Sequence, residues 1–358
     1  MNRLTISTPA GPVSALQAGA GPRLHFAHAT GMNAQLYESV LAPLAGRLTD
    51  GGQALCCACT DVLPPAADAM LRNIQRKHIT HRSFQVAAAQ GAREMAVAAA
   101  QRAWDGYRHW STYERADLCH RVAALIEDHH EELARLTTIE QGKPYKAEAL
   151  ADVEDAASLF SISAEDAKRL YGETIPSSAR NKRMFTYRAP VGVWAAITPW
   201  NFPLMIMCEF LGPALATGNA IVCKPPDTTP LACLALGALL EEAGVPEGLV
   251  SIIPGDGAVG EHLITHPGID AIGFVGSSAT AERIVRTAGL KRTLMEASGN
   301  GPVIVCADAD ISAAAEAAVF GAYWNAGQVC CATERVLVDQ RVAPDFADVK
   351  FEHATGYK

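Results

Sequence analysis

Residues 191–224 have the sequence VGVWAAITPWNFPLMIMCEFLGPALATGNAIVCK, and this stretch decides the fold. It begins with an apolar, strand-like run at 191–197 and continues into an apolar helix that ends near Gly218. A second short apolar run follows at 220–223. Short apolar runs separated by a helix are typical of a βαβ unit, because parallel neighbours need a long crossover connection. We therefore predict an α/β protein with a parallel sheet covered by helices on both faces.

The alternation of strands and helices continues after this unit. Apolar runs at 249–253 and 271–275 predict further strands, and residues 231–243, 258–266 and 279–288 predict helices. Upstream of the sheet, helical spacing of apolar residues predicts two more helices, the second ending at Gly142. Their apolar faces comprise Leu118, Val122, Leu125, Ile126, Leu133, Leu136 and Ile139.

The composition limits the class of protein and partner. Of the 358 residues, 49% are hydrophobic and 19% charged, which argues against a disordered chain. The formal net charge of −8 argues against nucleic acid or an anionic membrane surface as a partner. The longest apolar stretch, 231–240, is about half of a membrane span. Ten cysteines without the spacing of a small disulfide scaffold indicate reduced thiols, so we expect a cytoplasmic protein without a signal peptide.

Polar residues follow the predicted strands at the end where a parallel sheet binds ligands. The first strand is followed by Thr198-Pro199-Trp200-Asn201-Phe202-Pro203, in which the prolines restrict the backbone around Asn201. A rigidly held amide suits an oxyanion donor, and a structural turn is the alternative. The second strand ends in Lys224, and Asp227 follows it. This pair suits the two hydroxyls of a ribose, with a solvated strand end as the alternative.

Two glycine-containing segments are candidates for a phosphate site. Residues 255–260 form Gly-x-Gly-x-x-Gly, beginning with Gly255 and Gly257, but no acidic residue ends the next strand as the Rossmann fingerprint requires. Gly276 and Ser277 stand where a strand gives way to a helix, whose free N–H groups favour an anion. A glycine-rich packing turn and a serine helix cap are the alternatives.

Two further residues suit covalent catalysis. Glu296 lies at the end of an apolar segment, a setting that suits a general base. Cys330 lies in a loop after a predicted helix at 311–324, and a loop cysteine near backbone donors can act as a nucleophile. A small buried thiol is the alternative for Cys330.

Together and in this order, these segments resemble the aldehyde dehydrogenase superfamily over about residues 86–339. Gly172-Glu173-Thr174-Ile175-Pro176 is similar to the succinate-semialdehyde dehydrogenase-like branch. The resemblance implies a Rossmann-type, parallel-sheet NAD-binding domain followed by a catalytic domain. The matching motifs are Pro199-Trp200-Asn201-Phe202-Pro203, Lys224-Pro225, Phe274-Val275-Gly276-Ser277-Ser278, Glu296 and Gly327-Gln328-Val329-Cys330.

The resemblance also implies roles for the site residues. Cys330 would attack an aldehyde, Asn201 and the Cys330 amide would hold the oxyanion, and Glu296 would activate water. The implied cofactor is NAD, with NADP as the alternative, and the acid at position 227 favours NAD because it repels a 2′-phosphate. No metal is implied. The implied cofactor-binding residues are Thr198, Trp200, Lys224, Asp227, Gly255, Gly257, Gly276 and Ser277.

The sequence departs from the family pattern in two ways. The usual Glu-Leu-Gly-Gly run is Glu296-Ala297-Ser298-Gly299 here, which keeps the acid. After Asp339 the similarity fades, and the family's later nicotinamide-ribose segment and oligomerisation strand have no counterpart. We therefore expect a C-terminally truncated chain whose catalytic domain is incomplete, although the family is usually homo-oligomeric. A nucleotide-binding remnant without turnover is the alternative function, and a hydrolase-derived protein is the third.

The first 85 residues have a different character. Residues 24–31 and a predicted helix at 34–48 resemble the start of an α/β-hydrolase, but the sequence contains no Gly-x-Ser-x-Gly nucleophile motif. A cysteine–histidine group at Cys56, Cys57, Cys59, His78 and His81 lacks the usual spacing of a zinc site, and we predict no metal there. The predicted segments are a hydrolase-like fragment at 1–50, a linker at 51–85, the NAD-binding domain at 86–297 and a partial catalytic domain at 298–358.

Overall fold

The structure, a computed structural model, describes residues 2–8, 11–17 and 90–356. Strands β1 (Asn2–Thr8) and β2 (Gly11–Gln17) pair antiparallel. Strands β3 (Thr174–Ile175) and β4 (Met184–Phe185) form a second, very short antiparallel pair. The predicted strand at 24–28, the helix at 34–48, the linker and the cysteine–histidine group lie outside the described residues. The predicted segment boundaries remain predictions.

A five-stranded parallel sheet forms the centre of the fold. Its strands are β5 (Val193–Ile197), β6 (Ala220–Lys224), β7 (Val250–Ile252), β8 (Ala271–Gly276) and β9 (Arg292–Ala297). Their order across the sheet is β7-β6-β5-β8-β9. Strands β6 and β7 therefore lie on one side of β5, and the later strands β8 and β9 lie on the other. This confirms the predicted α/β fold with a Rossmann-type parallel sheet. The reversal of direction leaves a crevice beyond the carboxyl ends of β5 and β8.

The described helices agree with the predicted ones to within about two residues, the usual uncertainty of helix ends. Helix α3 ends at Gly142, whose φ of 91° is the left-handed conformation that glycine adopts most easily. Ile139 differs from the prediction: it is 39% exposed because the helix packs through Leu133 and Leu136. None of the described helices is long and apolar enough to cross a membrane. The helices are α1 (Gln90–Tyr107), α2 (Thr112–Asp128), α3 (His130–Gln141), α4 (Leu150–Ala167), α5 (Pro203–Ala216), α6 (Leu231–Glu242), α7 (Gly257–Thr265), α8 (Ser278–Ala288), α9 (Ile311–Tyr323) and α10 (Ala343–Gly356).

A smaller unit follows the central sheet. Strands β10 (Gly301–Val305) and β11 (Thr333–Val338) pair in parallel, and β10 and α9 contribute to a small apolar cluster that includes Val305, Ala315 and Phe346. The loop between α9 and β11 does not belong to this cluster. Its residues Val329 and Ala332 are buried in the main core instead. The loop that holds Cys330 is therefore anchored on the larger unit.

A buried ion pair lies beneath the loop that follows β5. The Lys143 ammonium group contacts the Asp152 carboxylate, and their side chains are 0% and 3% exposed. Burial lowers the pKa of Lys143 and raises that of Asp152 to about 6. The Lys143 Nζ also lies 3.6 Å from the centre of the Phe202 ring. The pair thus connects the α3–α4 region to the residue after Asn201.

We expect Lys143→Met to lower the free energy of unfolding by about 3 kcal/mol, because it leaves the Asp152 carboxylate buried without its cation. Urea unfolding measures the change. Lys168→Met is the matched control, since the Lys168–Glu165 pair is partly exposed and its loss costs less than about 1 kcal/mol. Equal effects of the two substitutions would contradict the prediction.

Candidate active site

The loop that carries Cys330 has an unusual backbone. Helix α9 ends at Tyr323, and a short turn, Trp324–Gly327, follows. Asn325, Ala326 and Gly327 all have left-handed φ values, of 48°, 56° and 77°. Asparagine and glycine adopt this conformation readily, whereas alanine does so at a cost. The turn redirects the chain so that Cys330 becomes half-buried just before β11.

Asn325 holds this turn in place. Its side chain is 3% exposed, and its amide nitrogen donates to the carbonyls of Asn201 (3.1 Å) and Gln328 (3.3 Å). Its amide oxygen accepts from Gln141 Nε2 at 3.1 Å, and its backbone N–H donates to Glu148 Oε1 at 3.1 Å. A single buried residue therefore connects the cysteine loop to α3, to the turn before α4 and to the loop after β5.

Asn201 reaches the cysteine loop from the other side. Its Nδ2 donates to the carbonyl of Gln328 at 2.8 Å, across 127 positions of sequence. An amide nitrogen has two hydrogens, so this bond orients the group and leaves the second hydrogen for another acceptor. The bond attaches Asn201 to the loop that carries Cys330, two residues before the cysteine.

Glu296 completes the group. It lies near the end of β9, and its carboxylate is close enough to the Cys330 thiol to raise the pKa of that thiol. Burial, with the nearby Glu296 carboxylate, raises the pKa of Cys330 to about 12, so the resting group is a neutral thiol. Glu209 on α5 is a second acid near Glu296: burial and the Glu296 charge raise its pKa. Glu209 is not among the predicted site residues, because no local pattern in the sequence relates this position on α5 to Glu296 on β9.

The segment after Glu296 packs closely on the cysteine loop. A Cβ at Gly299 would collide with the carbonyl of Cys330, so glycine is required there. The preceding residue, Ser298, has a left-handed φ of 78°. Glycine adopts this backbone conformation without strain, and glycine is the residue expected here from the Glu-Leu-Gly-Gly pattern.

The predicted cofactor residues meet at the carboxyl edge of the sheet. Lys224 is buried, its Nζ donates to the carbonyl of Pro225 at 3.0 Å, and burial lowers its pKa. The Thr198 N–H donates to the Lys224 carbonyl at 3.2 Å, which joins the ends of β5 and β6. The Thr198 Oγ1 is buried without a hydrogen-bond partner among the described residues. Trp200 and Asp227 are exposed beside them.

The two glycine segments also lie at this edge. Gly257 begins α7. Gly260, one turn later, lies against the Lys224 side chain: a Cβ at this glycine would be 3.7 Å from the Lys224 Cδ. Gly255 has a left-handed φ of 144°. Ser277 is the cap of α8: its hydroxyl accepts from the Thr280 N–H at 3.3 Å. Ser277 is therefore a helix cap, which is the alternative to a phosphate site at this position. The preceding residue, Gly276, ends β8.

Comparison with known proteins identifies the group to which this arrangement belongs. Residues 75–358 match the model of the aldehyde dehydrogenase family. The chain belongs to the aldehyde dehydrogenase family. It is 40% identical to 3-sulfolactaldehyde dehydrogenase of Pseudomonas putida over 268 residues, which cover 74% of this chain and 55% of that protein. It is also 40% identical to human retinaldehyde dehydrogenase 3 over 268 residues, with 73% and 52% covered.

Solved structures of aldehyde dehydrogenases agree. An aldehyde dehydrogenase from Pseudomonas aeruginosa matches with a TM-score of 0.72 at 39% identity, covering 75% of this chain and 55% of that one. Lactaldehyde dehydrogenase matches with a TM-score of 0.72 at 32% identity, covering 74% and 56%. The chain therefore spans about half the length of the aldehyde dehydrogenases it matches.

Substitution of Asn325 separates the contribution of its hydrogen bonds from that of its backbone conformation. We expect Asn325→Gly to lower the free energy of unfolding by about 2 kcal/mol through lost hydrogen bonds, and Asn325→Ala by about 1 kcal/mol more because alanine is strained at this φ. Urea unfolding measures both. The control is Ala326→Gly, at an exposed left-handed residue, which relieves strain and is neutral or stabilising. Wild-type stability in both Asn325 variants would contradict the assignment.

Removal of the Glu296 charge tests the acid–thiol contact. In Glu296→Gln the carboxylate no longer disfavours the thiolate, so we expect the pKa of Cys330 to fall by about one unit while burial keeps it raised. The measurement is the rate at which iodoacetamide alkylates Cys330 in the folded protein at a series of pH values, read by mass spectrometry of the peptide that contains Cys330. The midpoint of the rate against pH reports the pKa of the thiol. Glu316→Gln, at an exposed residue of α9, is the control. An unchanged midpoint in Glu296→Gln would show that the two groups are not coupled.

Proposed function

We propose that this chain carries the catalytic cysteine of an NAD(P)-dependent enzyme that oxidises an aldehyde to a carboxylic acid. The observation that supports this most directly is the convergence at Cys330: the Glu296 carboxylate is near enough to raise the pKa of its thiol, and its loop is hydrogen-bonded to the Asn201 amide. These are the nucleophile, the base and the oxyanion donor that aldehyde oxidation through a covalent intermediate needs.

The residues suggest the order of events. The Cys330 thiol gives its proton to Glu296, and its sulfur adds to the aldehyde carbon. The second hydrogen of the Asn201 amide and the Cys330 N–H stabilise the negative oxygen. A bound nicotinamide dinucleotide supplies the acceptor for the hydride that leaves this adduct. Glu296 first releases the proton that it took from Cys330 to solvent. It then takes a proton from water, which attacks the resulting thioester; the acid leaves, and the departing Cys330 sulfur recovers that proton from Glu296.

The crevice at the sheet edge suits such a dinucleotide. The buried Lys224 ammonium and the Asp227 carboxylate offer a donor and an acceptor for ribose hydroxyls, and the unpartnered Thr198 hydroxyl lies at the end of the adjacent strand. The N-terminus of α8 after Ser277 favours a pyrophosphate. Trp200, Gly255, Gly257 and Gly276 line the same edge in this proposal. The Asp227 charge favours NAD over NADP, because an acid there repels a 2′-phosphate.

The substrate is proposed as a small aldehyde without further specification. Among similar proteins are a succinate-semialdehyde dehydrogenase of Escherichia coli K12, 40% identical over 256 residues and covering 71% of this chain and 53% of that protein, and the retinaldehyde dehydrogenases. Their named substrates differ in size and charge, so they do not agree on one aldehyde. Nucleotide binding without turnover is the second candidate function, because Thr198, Lys224 and the N-terminus of α8 suit a dinucleotide independently of Cys330. Homo-oligomer formation remains a prediction.

The test combines nucleotide binding with turnover on the full chain. We expect NAD to bind more tightly than NADP in calorimetry, and NADH to form when a panel of aliphatic and semialdehyde substrates is added. Cys330→Ser is expected to abolish NADH formation and to retain NAD binding. Cys306→Ser, at an exposed cysteine of the smaller unit, is the matched control and keeps both.

The outcomes separate the two candidates. Nucleotide binding without NADH formation on any aldehyde would favour the second. NADH formation that survives Cys330→Ser would overturn the assigned nucleophile. Failure to bind either nucleotide would overturn both candidates.

A further inference from the structure

Two histidines and a glutamate meet where α1 packs against α7. His262 lies on α7, His266 directly follows the last residue of this helix, and Glu94 lies on α1. The two histidines are four positions apart, and their rings lie on the same side of the helix end with their centres 5.3 Å apart. The Glu94 carboxylate lies between them: its Oε1 is 3.3 Å from His262 Nε2, and its Oε2 is 2.9 Å from His266 Nε2.

The spacing of these atoms is that of a metal-ligand set. Tetrahedral zinc with ligand bonds near 2.0–2.1 Å separates its ligand atoms by about 3.4 Å. One ligand atom from each of the three residues lies within 4.8 Å of the other two, so small side-chain rotations bring them into range. Two imidazoles and one carboxylate are also a donor set that zinc and similar divalent ions prefer.

The Nε2 atom of His262 is placed as a ligand atom. It is buried and forms no hydrogen bond with the described residues, although the Glu94 carboxylate lies 3.3 Å away. A ring nitrogen without a hydrogen bond beside a carboxylate suits a cation.

His266 and Arg93 set the cost of binding. The Gly268 N–H donates to His266 Nδ1 at 2.9 Å, so in the metal-free protein the ring proton is on Nε2 and faces Glu94. A metal ion on Nε2 displaces this proton, either to solvent or to Nδ1 with loss of the Gly268 bond. The Arg93 cation also lies near His262 and opposes a second positive charge. These costs predict a moderate affinity for the ion.

We propose that Glu94, His262 and His266 bind one divalent transition-metal ion of the zinc class through a carboxylate oxygen and the two Nε2 atoms. The ion connects α1 to α7, and open coordination positions are filled by water. This site is separate from Cys330 and from the proposed dinucleotide crevice, so it does not depend on the proposed function.

The experiment uses the tag-free full chain and titrates it with zinc chloride in a calorimeter and with cobalt chloride in a spectrophotometer. We expect one site whose cobalt spectrum shows d–d bands without a thiolate charge-transfer band, which separates it from the cysteines. His262→Gln and His266→Gln are each expected to weaken zinc binding at this site by at least about tenfold, and Glu94→Gln by a smaller factor. His109→Gln, at an exposed histidine, is the matched control and binds as the wild type does.

Circular dichroism establishes that each variant is folded before it is titrated. Zinc binding of the same affinity and stoichiometry in the wild type and in both histidine variants would overturn the proposal. So would cobalt bound through thiolates alone, or histidine variants that lower the unfolding temperature without altering metal binding, since the three residues would then act as a hydrogen-bonded contact between α1 and α7.

Discussion

The candidate active site depends on the buried hydrogen bonds of one side chain, Asn325. Cys330 is contributed by a loop, and a loop by itself does not fix a nucleophile relative to a base on a distant strand. Asn325 fixes the position of this loop through its side-chain amide. The amide nitrogen donates hydrogen bonds to the carbonyls of Asn201 and Gln328, and the amide oxygen accepts one from Gln141. Buried polar groups that are fully paired are costly to rearrange, so the loop has one favoured position.

Burial also determines the chemical state of the site. The thiol of Cys330 is protonated at rest because desolvation and the Glu296 charge disfavour the thiolate. A thiol in this state needs an adjacent base, and the same carboxylate that raises the pKa is placed to take the proton. The buried Lys143–Asp152 pair beneath Phe202 extends this polar interior to the helices that precede the sheet. Burial and hydrogen bonding therefore account both for the fixed position of the cysteine loop and for the protonated state of Cys330.

Local pattern was sufficient for most of the central sheet. Apolar runs of about five residues between helices predicted β5 to β8 and the helices after them, because a strand buried on both faces must be apolar throughout. Gly142 marked the end of α3 because glycine adopts its left-handed φ without strain. The prediction was wrong for Ile139, since helical spacing shows which residues share a face but not how much of that face is covered. Asn201, Glu296 and Cys330 were found by their positions at strand ends and in the cysteine loop, and by their resemblance to family motifs.

The sequence alone determined the α/β class and the order of the strands and helices of the central sheet, which follow from residue types and short-range spacing. The roles of Asn201, Glu296 and Cys330 were implied by their resemblance to family motifs. The tertiary structure decided which distant groups touch: Asn325 against Gln141 and Asn201, Glu209 near Glu296, and Glu94 against the histidines at the end of α7. Such contacts join elements more than a hundred residues apart in several of these cases. Their formation depends on how helices pack on the sheet, which no local pattern encodes.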